Sequence, residues 1–404
     1  MSAQVEETKG CISQTAQVIS DQNPEKKPYG YKRMKQVEEE TKEFKSLTKL
    51  EKTIGTFGDD TNDIKDDDTL VDDVTAKQIK EIADSEDLQD LQYEIDQSRN
   101  QNDVRVAVIG NVDSGKSTMV GVLTKSLLDD GRGLARSKVF NFTHEQVNGR
   151  TSSIGQEIMG FDTNKNQVVY ERDNATRNQS WSHVVSNSEK LVTFLDLCGH
   201  EKYLKTTMFG LVGLMPDYSM IVVGANMGVS KMTREHLGIS LALGIPVFIV
   251  ITKIDICPKQ VYEETLNVLT KIMESKQAGK QVNQITDASD MQIAAKALPS
   301  NQTCPIFSIS NVTGEGLGKL KEFLSLLSSR VSISGQFGLA TDPVEFFIDG
   351  NYQVKGVGTV VTGTLLSGTV KPGQILQLGP TKIGLFTQVQ VKSIHCKRVD
   401  VDEA

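Results

Sequence analysis

The chain has 404 residues, with 52 acidic and 44 basic side chains and a formal net charge of −8. Hydrophobic residues make up 38% and mean hydropathy is −0.27; no apolar run approaches the ~18 residues of a membrane span and no secretory h-region opens the chain, so a soluble protein of two or three domains is expected. Cys11, Cys198, Cys257, Cys304 and Cys396 are scattered with no C-x-x-C pair, which argues against a disulfide framework or a zinc site and for cysteines as packing residues.

The charge is uneven. Residues 1–100 carry 24 acidic and 14 basic side chains, against 28 and 30 in the rest. This polar stretch predicts a mostly disordered acidic extension, with short helices at 76–83 and 88–95. Near neutrality beyond it argues against a broad nucleic-acid groove and against direct DNA binding.

Residues 104–109 are apolar and β-branched, as a buried strand requires. Gly110, Asn111, Val112, Asp113, Ser114, Gly115, Lys116 and Ser117 follow, fitting G-x-x-x-x-G-K-[ST], and a helix is predicted at 118–128, opening with Thr118. Between strand and helix this loop turns backbone N–H groups onto a phosphate chain, at the positive end of the helix dipole. Lys116 then reaches the β- and γ-phosphates, and the Ser117 hydroxyl holds Mg²⁺. Further on, strand 192–196 runs into Asp196, Leu197, Cys198, Gly199 and His200, a D-x-x-G motif followed by His. Asp196 is expected to hold Mg²⁺ through a water, and the Gly199 N–H to sense the γ-phosphate.

Helices near 202–213 and 233–243 flank a strand at 218–225. Strand 246–252 ends in Thr252, Lys253, Ile254, Asp255, a T-K-x-D motif. A carboxylate there accepts two hydrogen bonds from guanine, a donor pair that adenine lacks; Asp255 is expected to be buried where it pairs with the base, with the Lys253 stem lying over the base. After a helix at 262–274, the stretch 275–300 has no strong period and reads as an insertion interrupting the fold. Strand 305–309 leads to Ser310, Asn311 and Val312, whose backbone could close over the base. Helix 316–328 completes an alternating α/β domain with a mostly parallel sheet, at 101–330. From 343 the period becomes two: strands at 344–349, 358–364 and 388–394 and a tight turn at 371–374 predict an antiparallel unit at 340–404, whose roughly 60 residues are few for a closed barrel, so an incomplete β-barrel is expected.

The phosphate loop, together with D-x-x-G-His, is similar to that of the translational GTPases of the elongation-factor and release-factor class. Residues 111–118, 149–155, 200–207, 252–258, 356–363 and 391–395 resemble the GTP-binding protein 1 and 2 subfamily within it. This resemblance implies GTP hydrolysis with Mg²⁺ in translation-linked quality control or rescue. His200 would orient the attacking water. Thr151, after Gly149 and Arg150, would be the Mg²⁺-binding threonine of the first switch, with Ser152 or Ser153 as alternatives. Asp113 would help hold a monovalent cation. The implied partners are the ribosome and aminoacyl-tRNA, and a monomer is expected. The family's usual His before the Val is Asn111 here. The family barrel continues past residue 404 and a second follows it, so a C-terminally truncated chain is expected. Two other readings stay open: a general tRNA-delivery or release factor, and a GTP-dependent binding switch without significant turnover.

Overall fold

A computed structural model describes residues 14–18, 103–170, 176–330 and 338–404. Its strands are β1 (Gln14–Val18), β2 (Asp103–Gly110), β3 (Gly155–Phe161), β4 (Gln167–Val168), β5 (Lys190–Asp196), β6 (Tyr218–Gly224), β7 (Val247–Thr252), β8 (Gln281–Gln284) and β9 (Thr303–Ser308), then β10 (Glu345–Val354), β11 (Gly358–Ser367), β12 (Ile375–Leu378), β13 (Thr387–Gln390), β14 (Ser393–Cys396) and β15 (Val399–Val401). Its α-helices are α1 (Lys116–Lys125), α2 (Leu134–Ser137), α3 (Thr143–Asn148), α4 (Arg177–Asn187), α5 (Leu204–Gly213), α6 (Lys231–Ala242), α7 (Lys259–Met273), α8 (Ala288–Ala297) and α9 (Leu317–Leu326).

The main sheet runs β4-β3-β5-β2-β6-β7-β9-β8, parallel except where β3 meets β4 and β5. Both faces are covered, so its central strands are continuous apolar runs. Along β2 the pleat sends Val104, Val106 and Val108 into one core and Ala107 and Ile109 into the other. The first core is tied together by Phe248, Phe307 and Phe323, with ring centroids 4.8–6.4 Å apart. On α7, Thr265, Leu269 and Met273 recur every fourth residue and form its buried stripe. Parallel strands place their C-terminal ends on one edge, where Gly110, Asp196, Thr252 and Ser308 end β2, β5, β7 and β9.

The expected interruption at 275–300 is corrected by the structure. β8 pairs in parallel with β9 and extends the sheet, and α8 buries Met291, Ala294 and Ala295. Four polar-flanked residues make too short a strand to show a period. The expected strand at 388–394 is two strands, β13 and β14, with Val391 and Lys392 between them. The turn at 371–374 is present, the Gln374 N–H donating to the Lys371 carbonyl over 3.2 Å. The helices expected at 76–83 and 88–95, and the expected disorder around them, lie outside the described residues.

The antiparallel strands form a hairpin, β12–β13, and a sheet of order β10-β11-β1-β14-β15. β1, which the sequence did not announce, pairs with both β11 and β14. Polar contacts made by Arg105, Lys397 and Arg398 join this region to the main sheet and to α4. Arg105 donates to the Thr364 hydroxyl over 3.0 Å, and Lys397 pairs with Asp103 at 2.6 Å. Arg398 lies 4.9 Å over the Trp181 ring of α4 and donates to Asn178 over 3.0 Å. Among the described residues no helix is long and apolar enough to cross a membrane.

Candidate nucleotide site

Gly110 ends β2 at φ 146°, where a Cβ would lie 2.2 Å from the Val222 carbonyl oxygen, so the loop can leave the sheet only through glycine. Gly115, also left-handed at φ 88°, directly precedes α1. Between them the loop is self-bonded. The Ser114 hydroxyl donates to the Asn111 carbonyl over 2.9 Å, and Lys116 Nζ donates to the Asn111 and Gly110 carbonyls over 2.7 and 3.2 Å. Lys116 is 6% exposed. Burial pushes its pKa down, opposed by the nearby charges of Asp196, Cys198 and Asp113. A buried ammonium whose other partners are weak carbonyl dipoles is set up to exchange them for phosphate oxygens.

The D-x-x-G loop passes directly over this ammonium. A Cβ on Gly199 would sit 2.4 Å from Lys116 Nζ and 2.7 Å from the Gly110 carbonyl oxygen, so only glycine permits the approach. Burial raises the Asp196 pKa to about 6, against the opposing effects of the Ser117 hydroxyl and the Lys116 charge. Its Oδ1 is fully buried without a hydrogen-bond partner. The Ser117 and Thr151 hydroxyls meet at 2.7 Å. Two hydroxyls and one underused carboxylate oxygen, all hard oxygen donors, fit a Mg²⁺ ion that keeps part of its water shell. Cys198 is no nucleophile: burial pushes its thiol up to about 12.

The first switch is braced by residues that sequence reasoning missed. Glu145 of α3, 1% exposed, accepts from the backbone N–H and hydroxyl of both Ser152 and Ser153 over 2.7–3.0 Å. Those two serines therefore serve the brace, which leaves Thr151 facing Ser117. Arg177 of α4 donates to the Val139 carbonyl over 2.9 Å and to Asn141, and pairs with buried Glu157 at 2.5 Å. A lone Glu in a polar stretch and an Arg far along the chain give no local signal of such a partnership.

His200 is exposed, and its Nδ1 accepts the Lys202 N–H over 3.1 Å, capping a short 3₁₀ turn at Glu201–Tyr203. With Nδ1 accepting, a neutral ring carries its proton on Nε2. This cap must break for Nδ1 to engage anything else.

At the base end, the Thr252 hydroxyl donates to the Ser114 carbonyl over 2.6 Å. Lys253, at φ 62°, lays its ammonium 2.7 Å from the Asp113 carbonyl oxygen, across the phosphate loop. The Asn311 side chain is buried, with Oδ1 unpartnered. The Ser310 hydroxyl accepts from the Val312 and Thr313 N–H groups and holds that loop in a turn. Asp255 was expected to be buried; it is exposed. A carboxylate at a strand's end faces water unless a base covers it.

An open cleft of about 390 Å³ lies at the phosphate end, lined by Val112, Asp113, residues 115–118, Arg136, residues 148–152, Gly199, His200, Lys202 and Tyr203 among others. Asp113 contributes its only carboxylate, against the cations of Lys116, Arg136, Arg150 and Lys202. A phosphate loop at the C-terminal edge of a parallel sheet, its lysine under a D-x-x-G turn and a T-K-x-D strand end alongside define a GTP-binding P-loop domain. Residues 101–331 match the family described as Elongation factor Tu GTP binding domain, and the chain belongs to that family.

The chain is 51% identical over 301 residues to GTP-binding protein 1 of Xenopus laevis, covering 74% of this chain and 45% of that protein. It is 45% identical over 297 residues to human GTP-binding protein 2, covering 73% and 48%. The chain thus spans about half the length of these curated relatives. A selenocysteine-specific elongation factor of Methanocaldococcus jannaschii is 32% identical over 213 residues, 53% of this chain and 39% of that one. The crystal structure of a bacterial selenocysteine-specific elongation factor aligns with a TM-score of 0.51 at 23% identity, covering 74% of this chain and 40% of that one, which is a likeness of fold.

Proposed function

We propose that this chain binds GTP with Mg²⁺ and hydrolyses it to GDP and phosphate, acting at the ribosome in translation-linked quality control. The observation that carries the reading is the 2.7 Å meeting of the Thr151 and Ser117 hydroxyls beside the unpartnered, buried oxygen of Asp196. A binding module needs Ser117 for its nucleotide. Bringing the first switch onto it as well makes the site sensitive to the γ-phosphate, and only a protein that uses the GTP–GDP difference needs that.

Ser117 and Thr151, with Asp196 behind a water, would hold Mg²⁺, which would supply charge neutralisation to the phosphate chain. Lys116 reinforces it from the loop side. The Gly199 N–H donates to the γ-phosphate and so ties the second switch to its presence. His200, released from its cap, positions the attacking water. This release suits an enzyme that fires when a partner repositions the histidine. A monovalent cation at Asp113 would compete there with Arg150, whose Nη2 lies 3.6 Å from the same carboxylate. Aminoacyl-tRNA as cargo belongs to the alternative reading as a delivery factor, which the names of the selenocysteine-specific relatives favour.

The test is GTP turnover by the 404-residue chain with and without purified ribosomes. Stimulation that His200→Ala abolishes supports the proposal. Tight GTP binding with no turnover under either condition would leave only a binding switch.

A further inference from the structure

The GTPase reading leaves Arg150 unused, and this inference rests on that reading. Of the four cations lining the cleft, three are committed. Lys116 bonds the phosphate loop. The Arg136 guanidinium is wedged against backbone: added Cβ atoms at Gly133 and Gly149 would lie 2.3 and 3.1 Å from it. Lys202 sits over the Tyr203 ring, 5.7 Å from its centroid.

Arg150 differs. Its one ion pair reaches Asp113 across 3.6 Å, with the two side chains 58% and 50% exposed. Such an exposed pair is weak and readily exchanged. Its backbone is nevertheless fixed at the reactive end of the cleft, because Thr151 next to it touches Ser117 at 2.7 Å. Gly149, at φ 66°, precedes it and breaks the helix that would otherwise carry it away. The guanidinium is therefore held loosely by one carboxylate, on a segment anchored where the γ-phosphate must lie.

We infer that Arg150 is a further catalytic residue, an arginine supplied from within the first switch that leaves Asp113 for the γ-phosphate of bound GTP. In the step it assists, a water oxygen forms a bond to the γ-phosphorus while the bond to the β–γ bridging oxygen breaks. The electron pair leaves on the GDP β-phosphate, and the water proton passes to the released phosphate. Guanidinium N–H groups neutralise the charge that gathers on the γ- and bridging oxygens. The triphosphate outcompetes one carboxylate, so substrate itself recruits the arginine.

The experiment compares the chain with its Arg150→Ala and Arg150→Lys variants. Single-turnover GTP cleavage is timed, and affinities are measured for GDP, for a non-hydrolysable GTP analogue and for GDP with aluminium fluoride, which mimics the transferring phosphoryl group. Arg150→Ala is expected to slow cleavage on the order of a hundredfold or more and to weaken the aluminium fluoride complex at least roughly tenfold. GDP affinity should stay within about threefold, the analogue should lose more than GDP but less than the aluminium fluoride complex, and lysine, lacking the planar fork, should restore only part of the rate. Unchanged cleavage and aluminium fluoride binding in Arg150→Ala would overturn the assignment and spare the GTPase reading. Equal loss of GDP affinity would make Arg150 a structural prop and overturn it too. A parent chain that binds no GTP, or binds it and never cleaves it, would sink both.

Discussion

The two ends of the nucleotide site are built on opposite principles. At the phosphate end Lys116, Ser117 and Asp196 are buried and the two switches already crowd the loop. At the base end Asp255 lies in water and Asn311 keeps a buried oxygen unpartnered. The phosphate end is held by bonds of the fold itself: backbone carbonyls, glycine approaches and a helix start. The base end is a set of side-chain groups. In the proposed reading, affinity is invested where every nucleoside triphosphate looks alike, and selectivity is left to the groups that would meet guanine.

This contrast can be broken at several points. Lys116→Ala should weaken GTP and GDP binding together by about a thousandfold, some 4 kcal/mol, since it removes the one buried cation facing the phosphates; titration with a fluorescent GDP checks it. Thr151→Ala should lower GTP cleavage by roughly 10²-fold with GDP affinity nearly unchanged. Equal losses would mean that Thr151 only supports the fold.

His236 of α6 tests the phosphate end from below. The ring is fully buried, and neither nitrogen makes a hydrogen bond of ordinary geometry. Burial, and next the Lys116 charge, push its pKa down to about 4, against a weaker opposing contact from the Gly110 backbone. An unfolded chain takes up this proton from the ordinary 6.5 downward, before the folded one does. The stability that the neutral ring contributes is complete above 6.5 and drains away between 6.5 and 4, to a total of about 3 kcal/mol. Asp196, raised to about 6, works in the opposite sense as pH falls toward its ordinary 3.8. The prediction is therefore a difference: denaturant unfolding of His236→Leu should show less loss on acidification than the parent chain. Parallel pH curves would refute it.

At the base end the effect should be smaller and selective. Asp255→Asn should cost GTP about 10- to 100-fold, on the scale of 1–3 kcal/mol for a mismatched polar group, while xanthosine triphosphate gains. Retained preference for GTP would mean that Asp255 does not read the base. The smallest effect is expected away from both ends: Arg398→Ala should destabilise the chain by about 1 kcal/mol or less, the usual worth of a partly exposed cation–π contact.

The same contrast explains what the sequence disclosed. The P-loop, D-x-x-G and T-K-x-D motifs were legible because each is a strand end whose geometry depends on a few adjacent residues. The largely apolar strands β2, β6 and β7 announced themselves for a similar reason. Glu145 and Arg177 did not, because each acts on residues brought close only by folding. β8 escaped notice because Gln281, Val282, Asn283 and Gln284 form an edge strand on their pairing with β9 and carry almost no apolar signature.

Trp181 is the only tryptophan in the chain. It lies on α4, one helical turn from Arg177, whose grip on Asn141 and Val139 adjoins the Glu145-braced segment, and it is roofed by Arg398 from the β14–β15 turn. Its indole is therefore a built-in optical gauge. Light emitted by one ring should register movement of the strands above it or of the switch beside it, with no dye attached and no residue replaced.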